Sequence, residues 1–302
     1  MMTKFDNTEY ETLVKDLIGD IFYAETSFRG KISLIRQYTE VIMRKILNLD
    51  QHKKITLGNH DIKTKLIKLN NYTFIEKELK FINEHGSNST HTQFVDEVSR
   101  DNFDDMVDKL FDMLAFMLIN YFVKYEFGSK NEVMSSFSLL PPIIRYKVLI
   151  FLYEKYPNNI SVIDKLVLVI IKAFNSDEAL KWVEEKKEIL IKMNPNSGET
   201  DIERYILSQI NEHSNMYDLC KHKIFKVGNA ITSNGTLYSD FESALPYYQK
   251  NGILLSNEPE IEEFNDIMNF LYLGRKEKLS ELSDEKEPYI VTNFIFLNWS
   301  AL

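Results

Sequence analysis

Two histidines, His85 and His91, stand six positions apart on either side of the five-residue small polar run GSNST, within the stretch Phe81 to His91 (FINEHGSNSTH). An imidazole changes charge near neutral pH, so such a pair is suited to moving protons, with Asn88 between them able to orient a bound group. The same residues can instead cap and hydrogen-bond around a helix break. A metal centre is not expected: no Cys is near, and Glu84, Asp96 and Glu97 make no recognised ligand spacing. No cofactor is expected either.

Positive charge gathers just upstream. From Arg29 to Lys80 there are 12 Lys and Arg against 5 Asp and Glu; the rest of the chain has 24 against 40, for a net charge of -9 overall. Lys53, Lys54, Lys63, Lys65 and Lys68 fall in this window, Lys80 precedes the histidines, and Arg36 stands four residues before Glu40. The lysines read as a solvated surface or as a face that holds phosphate, with only Tyr72 and Phe74 nearby to stack on bases. Arg36 and Glu40 share a helix face and can pair. The acidic remainder does not invite nucleic acid.

Helices must position these groups. Asp6 to Ile21 and Ala24 to Leu47 carry apolar residues at three-to-four spacing, a short helix is expected at Asp61 to Leu69, and Tyr72 to Lys80 continues the pattern. Gly86, Ser87 and Asn88 then read as a break, with Ser89 or Thr90 capping the next helix. The run Asp101 to Phe127 has a stripe so wide that it must be covered on more than one side, as the central helix of an antiparallel bundle.

With 44% hydrophobic and 27% charged residues the composition is that of a soluble globular chain, and with only 10 Gly and 7 Pro in 302 residues it favours helix over sheet. A single cysteine, Cys220, and the absence of a leader at the first residues point to the cytoplasm, and no apolar window approaches the roughly 20 residues of a membrane helix. The fold class is all-α: an N-terminal bundle over residues 1–128, then an array of helical hairpins over 129–302, the boundary set at the small polar stretch Gly128 to Ser138. The hairpin half closes with an apolar tail, Pro288 to Leu302, expected to dock on the body or a partner.

Within that half, YEKYPNN and IKMNPNS end two helices alike, with prolines 38 residues apart. The segment from Asp177 to Ser197 resembles the second helix and exit turn of a tetratricopeptide repeat, with Ala179, Leu180, Trp182, Ile189 and Leu190 as its packing positions; the spacing departs from that family's period of about 34 residues. The resemblance implies a surface that binds another protein.

The Ala24 to Leu47 helix, the lysine-bearing connector, the GSNSTH cluster and the long helix after it together resemble a HEPN domain, the small bundle of prokaryotic toxins and defence proteins, over about residues 6–127. Many active members are metal-independent RNases with an Arg four to six residues before a His; here His85 takes the place of the Arg. The resemblance implies His91 as general base or acid beside a ribose hydroxyl, Asn88 as orienter, and Lys80, Arg100 or a second subunit of a homodimer as the source of the cation. The chain alone thus reads as a non-enzymatic protein-binding adaptor of a defence or stress system. The alternative is a metal-independent endoribonuclease built on His85, Asn88 and His91, with RNA held by Arg36 and the lysines.

Overall fold

The computed structural model describes residues 5–193 and 200–277, and the described residues hold fourteen α-helices and no strand. The chain divides into two compact units. One gathers the residues up to Asn120 together with Glu263–Arg275, and the other gathers Tyr121–Glu262. The expected boundary, 128–138, is occupied by a turn and a short helix, Asn131–Phe137.

In the first unit, α1 (Glu11–Ile18) runs into a π-helical turn, Gly19–Tyr23. α2 (Phe28–Ile46) is capped by Ser27, whose Oγ accepts from the Gly30 N–H at 3.2 Å. α3 (His60–Leu66) is a short helix capped by Asn59. α4 (Thr73–Thr90) packs extensively along α2. α5 (Arg100–Tyr125) follows an exposed loop that Arg29 holds, its guanidinium donating to the Phe94 carbonyl at 2.9 Å and to that of Asp96. Ser99 and Asn102 exchange side-chain to backbone hydrogen bonds at the α5 entrance, so the cap is Ser99. The segment Met113 to Ile119 is buried on every face, as its all-round apolarity requires. The returning segment Glu263–Arg275 supplies Phe270, edge-on to Phe5 and stacked with Tyr38, and Asp266, which pairs with Lys45.

The second unit holds α6 (Asn131–Phe137), α7 (Pro142–Lys155), α8 (Ile160–Ala173), α9 (Ser176–Glu185), α10 (Lys187–Lys192), α11 (Asp201–His213), α12 (Met216–Asn234) and α13 (Phe241–Asn251); α14 (Pro259–Tyr272) begins in it. α8 is its spine, packed by α7, α9, α11 and α12. Its sequence, ISVIDKLVLVIIKA, is apolar on nearly every face. The segment from Asp177 that resembles the second helix of a repeat holds two helices, parted at Lys186. Ala179, Val183 and Leu190 are buried and Trp182 lies edge-on to Tyr153, whereas Ile189, expected to pack, is exposed. The proline turn at 195 and the apolar tail 288–302 lie outside the described residues.

Candidate functional site

No break occurs at Gly86. α4 runs through it to Thr90 because Gly86 continues the buried stripe Ile75, Leu79, Ile82 at the same spacing. A Cβ at Gly86 would lie 2.5 Å from the Arg36 Cβ and 2.7 Å from its Cδ. The glycine therefore makes room for the Arg36 stem of α2 against α4, a packing role and not a stop signal. Ser89 and Thr90 do not cap a following helix. Their hydroxyls donate back to the carbonyls of His85 and Ser87.

Arg36 lies in this seam. Its stem covers Gly86 and its guanidinium meets Glu40 at 3.2 Å, with Nε buried and lacking a hydrogen-bond partner. Burial pushes the Glu40 carboxyl up, and the opposing pull of Arg36 and Arg44 leaves it above the ordinary value.

His85, Asn88 and His91 are exposed and climb the last turns of α4, each three residues from the next and so neighbours on the helix surface. His85 rests on the Phe81 ring at 4.1 Å. His91 closes the helix, its backbone N–H donating to the Ser87 carbonyl at 3.2 Å. At about 100° per residue the two histidines project roughly 120° apart, with Asn88 between.

The basic residues separate into several places. Lys63 and Lys80 line one groove of about 690 Å³, measured out to its open mouth, with Tyr72, Glu76 and Asn83, and neither histidine belongs to it. Lys80 also approaches Glu84 at 3.8 Å. Lys53 lies against Lys65, whose pKa falls below the ordinary value through burial first and then the neighbouring Lys53 ammonium. Lys54 and Lys68 are exposed and line no part of that groove. Arg100 pairs with Asp104 at 3.3 Å on the outer face of α5. Among the described residues no three His, Cys, Asp or Glu side chains gather as a metal site, and no helix is long and apolar enough to cross a membrane.

The second unit carries a chamber that no sequence motif announced. Counted out through its open mouth, bulk solvent included, it spans about 1100 Å³. Arg145 from α7 and Lys165 and Lys172 from α8 enter it, alongside Tyr238 and a wall of aliphatic side chains such as Leu168, Val169 and Val227. Arg145 is buried, with its guanidinium carbon 5.8 Å from the Tyr238 ring centre, and Tyr238 donates its hydroxyl to the Ser138 carbonyl. Burial, then Arg145 and Lys165, bring the Lys172 ammonium down to about 7. Lys165 leans on Asp164 at 3.3 Å, but no carboxylate among the described residues pairs with Lys172. One sequence signal existed: Lys165 and Lys172 stand seven apart, on one face of a helix whose only other charged residue is Asp164.

Cys220 is buried and its thiol is pushed up to about 12 by burial, which leaves no thiolate for chemistry at neutral pH despite the lysines beside it in sequence. Searches of protein families, curated proteins and solved structures each return no match for the chain. The class it defines is therefore structural: an all-helical protein of two compact units.

Proposed function

We propose that the protein is a non-enzymatic adaptor of a prokaryotic defence or stress system, whose first unit is HEPN-like and whose second unit, a helical-hairpin array, receives a protein partner. One observation carries this reading. Ile189 on α10, Tyr205 on α11 and Phe225 on α12 are 48%, 43% and 71% exposed, and α10 and α11 both pack on α12. Single exposed apolar side chains are ordinary, but large ones on one helix and on the two helices packed against it mark a surface that gains by being covered. The open setting of His85, Asn88 and His91 and the engagement of Arg36 with Glu40 support a binding role for the first unit as well.

Affinity capture from the source cells, comparing the full-length protein with a Phe225→Asp, Ile189→Asp variant of equal melting temperature, tests the proposal. A specific partner should be recovered with the wild type and lost, by at least tenfold, with the variant. Equal recovery sinks it.

A second reading, metal-independent cleavage of RNA, draws on a different observation. Lys53 and Lys65 sit against each other, and Lys63 shares a groove with Lys80. Clustered ammoniums of this kind suit phosphates. In this reading His91 acts on the ribose hydroxyl and His85 and Asn88 support it. Structured RNA incubated in chelator should be cut by the wild type and at least a hundredfold more slowly by His91→Ala; equal or absent cleavage in both removes the catalytic version.

A further inference from the structure

The second unit brings together two of the six histidines of the chain, neither of them His85 or His91. His213 closes α11, His222 stands in the middle of α12, and their rings meet edge to face with centres 4.5 Å apart. The two helices pack on each other across a tight turn, in which Ser214 takes the left-handed backbone region at φ 76° and Asn215 caps α12. His213 is half-buried and His222 exposed, so a solute reaches the pair from outside.

A backbone carbonyl decides where one ring carries its proton. The His213 Nδ1 lies 3.1 Å from the Gln209 carbonyl oxygen, which can only accept, so Nδ1 holds the proton and donates it. In the neutral imidazole Nε2 is then a bare lone pair, the arrangement of a metal-binding histidine whose other nitrogen is held by a carbonyl. Capping the end of α11 accounts for this hydrogen bond by itself. It does not account for a second imidazole set against the first. Nor does it account for the Gln209 side-chain oxygen, which stands one turn before His213 on α11, buried and without a hydrogen-bond partner.

The spacing fits one shared ion. A zinc ion lies about 2.0–2.1 Å from an imidazole nitrogen, hence about 3.2 Å from the ring centre, and two rings sharing it at angles between 90° and tetrahedral have centres about 4.5–5.2 Å apart. The observed separation falls at the near edge of that range, and the exposed His222 ring can turn about its broad terminal torsion to present a nitrogen. Nearby positive charge decides which ions are admitted. Lys223 is taken up by Asp164, but Lys226 also acts on His222. A hard cation that needs oxygen ligands and negative charge, such as magnesium, gains little here, whereas imidazole nitrogens suit zinc, nickel and copper.

We propose that His213 and His222 form a transition-metal site of the zinc class that staples the end of α11 to the middle of α12, with the Gln209 side-chain oxygen as third protein donor and a position left for water. The site is separate from the chamber and from the basic groove of the first unit. His222 stands three residues before Phe225 on α12, so the bound ion borders the exposed apolar surface and fixes two of its three helices against each other. The metal site itself does not depend on a partner.

Calorimetric titration of the full-length protein, freed of metal by chelator and exchanged into plain buffer, with zinc, nickel and magnesium chlorides tests the site. Zinc and nickel should bind and magnesium should not. His213→Gln and His222→Gln should each weaken zinc binding tenfold or more, whereas the double variant His52→Gln, His60→Gln should leave it within twofold. Saturating zinc should also raise the melting temperature of the wild type and not that of His222→Gln, whose change lies at an exposed position and should leave the metal-free melting temperature unchanged. Equal zinc affinity of wild type and His222→Gln overturns the proposal. So does a loss on only one of the two histidine substitutions, the mark of an adventitious ion on a single ring, or magnesium binding as tight as that of zinc. Unchanged affinity in Gln209→Leu overturns the assignment of the third donor.

Discussion

The buried carboxylate of Asp164 shows how one residue can be worth more than its surroundings suggest. It lies in the middle of α8 at 2% exposure and meets Lys223 of α12, with Lys165 at its other side. Burial pushes its carboxyl up, but Lys223 and Lys165 outweigh burial and hold it below the usual carboxylate range. A carboxyl depressed in the folded state adds stability at every pH above its unfolded value near 3.9, and that stability disappears as pH falls through the folded value. Wild type should thus lose denaturant midpoint below about pH 4, and an Asp164→Asn variant should lose less over the same interval. Lys223→Ala leaves the buried carboxylate with the half-exposed Lys165 alone and should cost up to about 3–5 kcal/mol at pH 7 in chemical denaturation. Lys172 is the opposite case: no carboxylate among the described residues pairs with it, and burial brings its ammonium down to about 7. The surroundings of both lysines come from helices far along the chain, which a local pattern does not contain.

At the level of the element, α4 is the instructive helix. Glycine after a helical run usually ends it, so the sequence pointed to a turn at Gly86; the structure keeps the helix because the Arg36 stem occupies the space a side chain would need. Only the neighbouring helix decides between those two meanings of glycine, and the neighbour is absent from a local pattern. Gly86→Ala should therefore destabilise the protein. An open mid-helix site would gain up to about 1 kcal/mol from the same change, whereas a Cβ forced 2.5 Å from the Arg36 Cβ should cost about 1–3 kcal/mol. Thermal denaturation of Gly86→Ala beside Gly86→Ala, Arg36→Ala checks the cause: trimming the arginine should recover part of the loss. Long helices with an unmistakable stripe, such as α2 and α5, were legible to within a few residues. α6 was not, since its apolar positions Val133, Met134 and Phe137 are too few to show a period among serines.

For the whole molecule, helix class followed from composition and spacing because those signals are local. The exposed histidines, the separation of the lysines into distinct places and the cationic chamber depend on which helices meet, and charge counts along the chain could not supply that. The window Arg29 to Lys80 is basic by sequence, yet Arg36 is engaged with Glu40, Arg29 with loop carbonyls and Lys45 with Asp266. What remains for a ligand is less charge than the tally suggests. The same reasoning explains why the chamber escaped notice, for it lies in the half of the chain that is acidic overall.

Phe5, Tyr38 and Lys45 find partners in Phe270 and Asp266, so the first unit is finished by residues far downstream of Asn120. On a ribosome elongating at about 5–20 residues per second, that closing piece emerges on the order of ten seconds after the rest of the unit has left the tunnel. During that interval the nascent first unit exposes the apolar seat of Phe270, and any chaperone that attends its synthesis has its opportunity there.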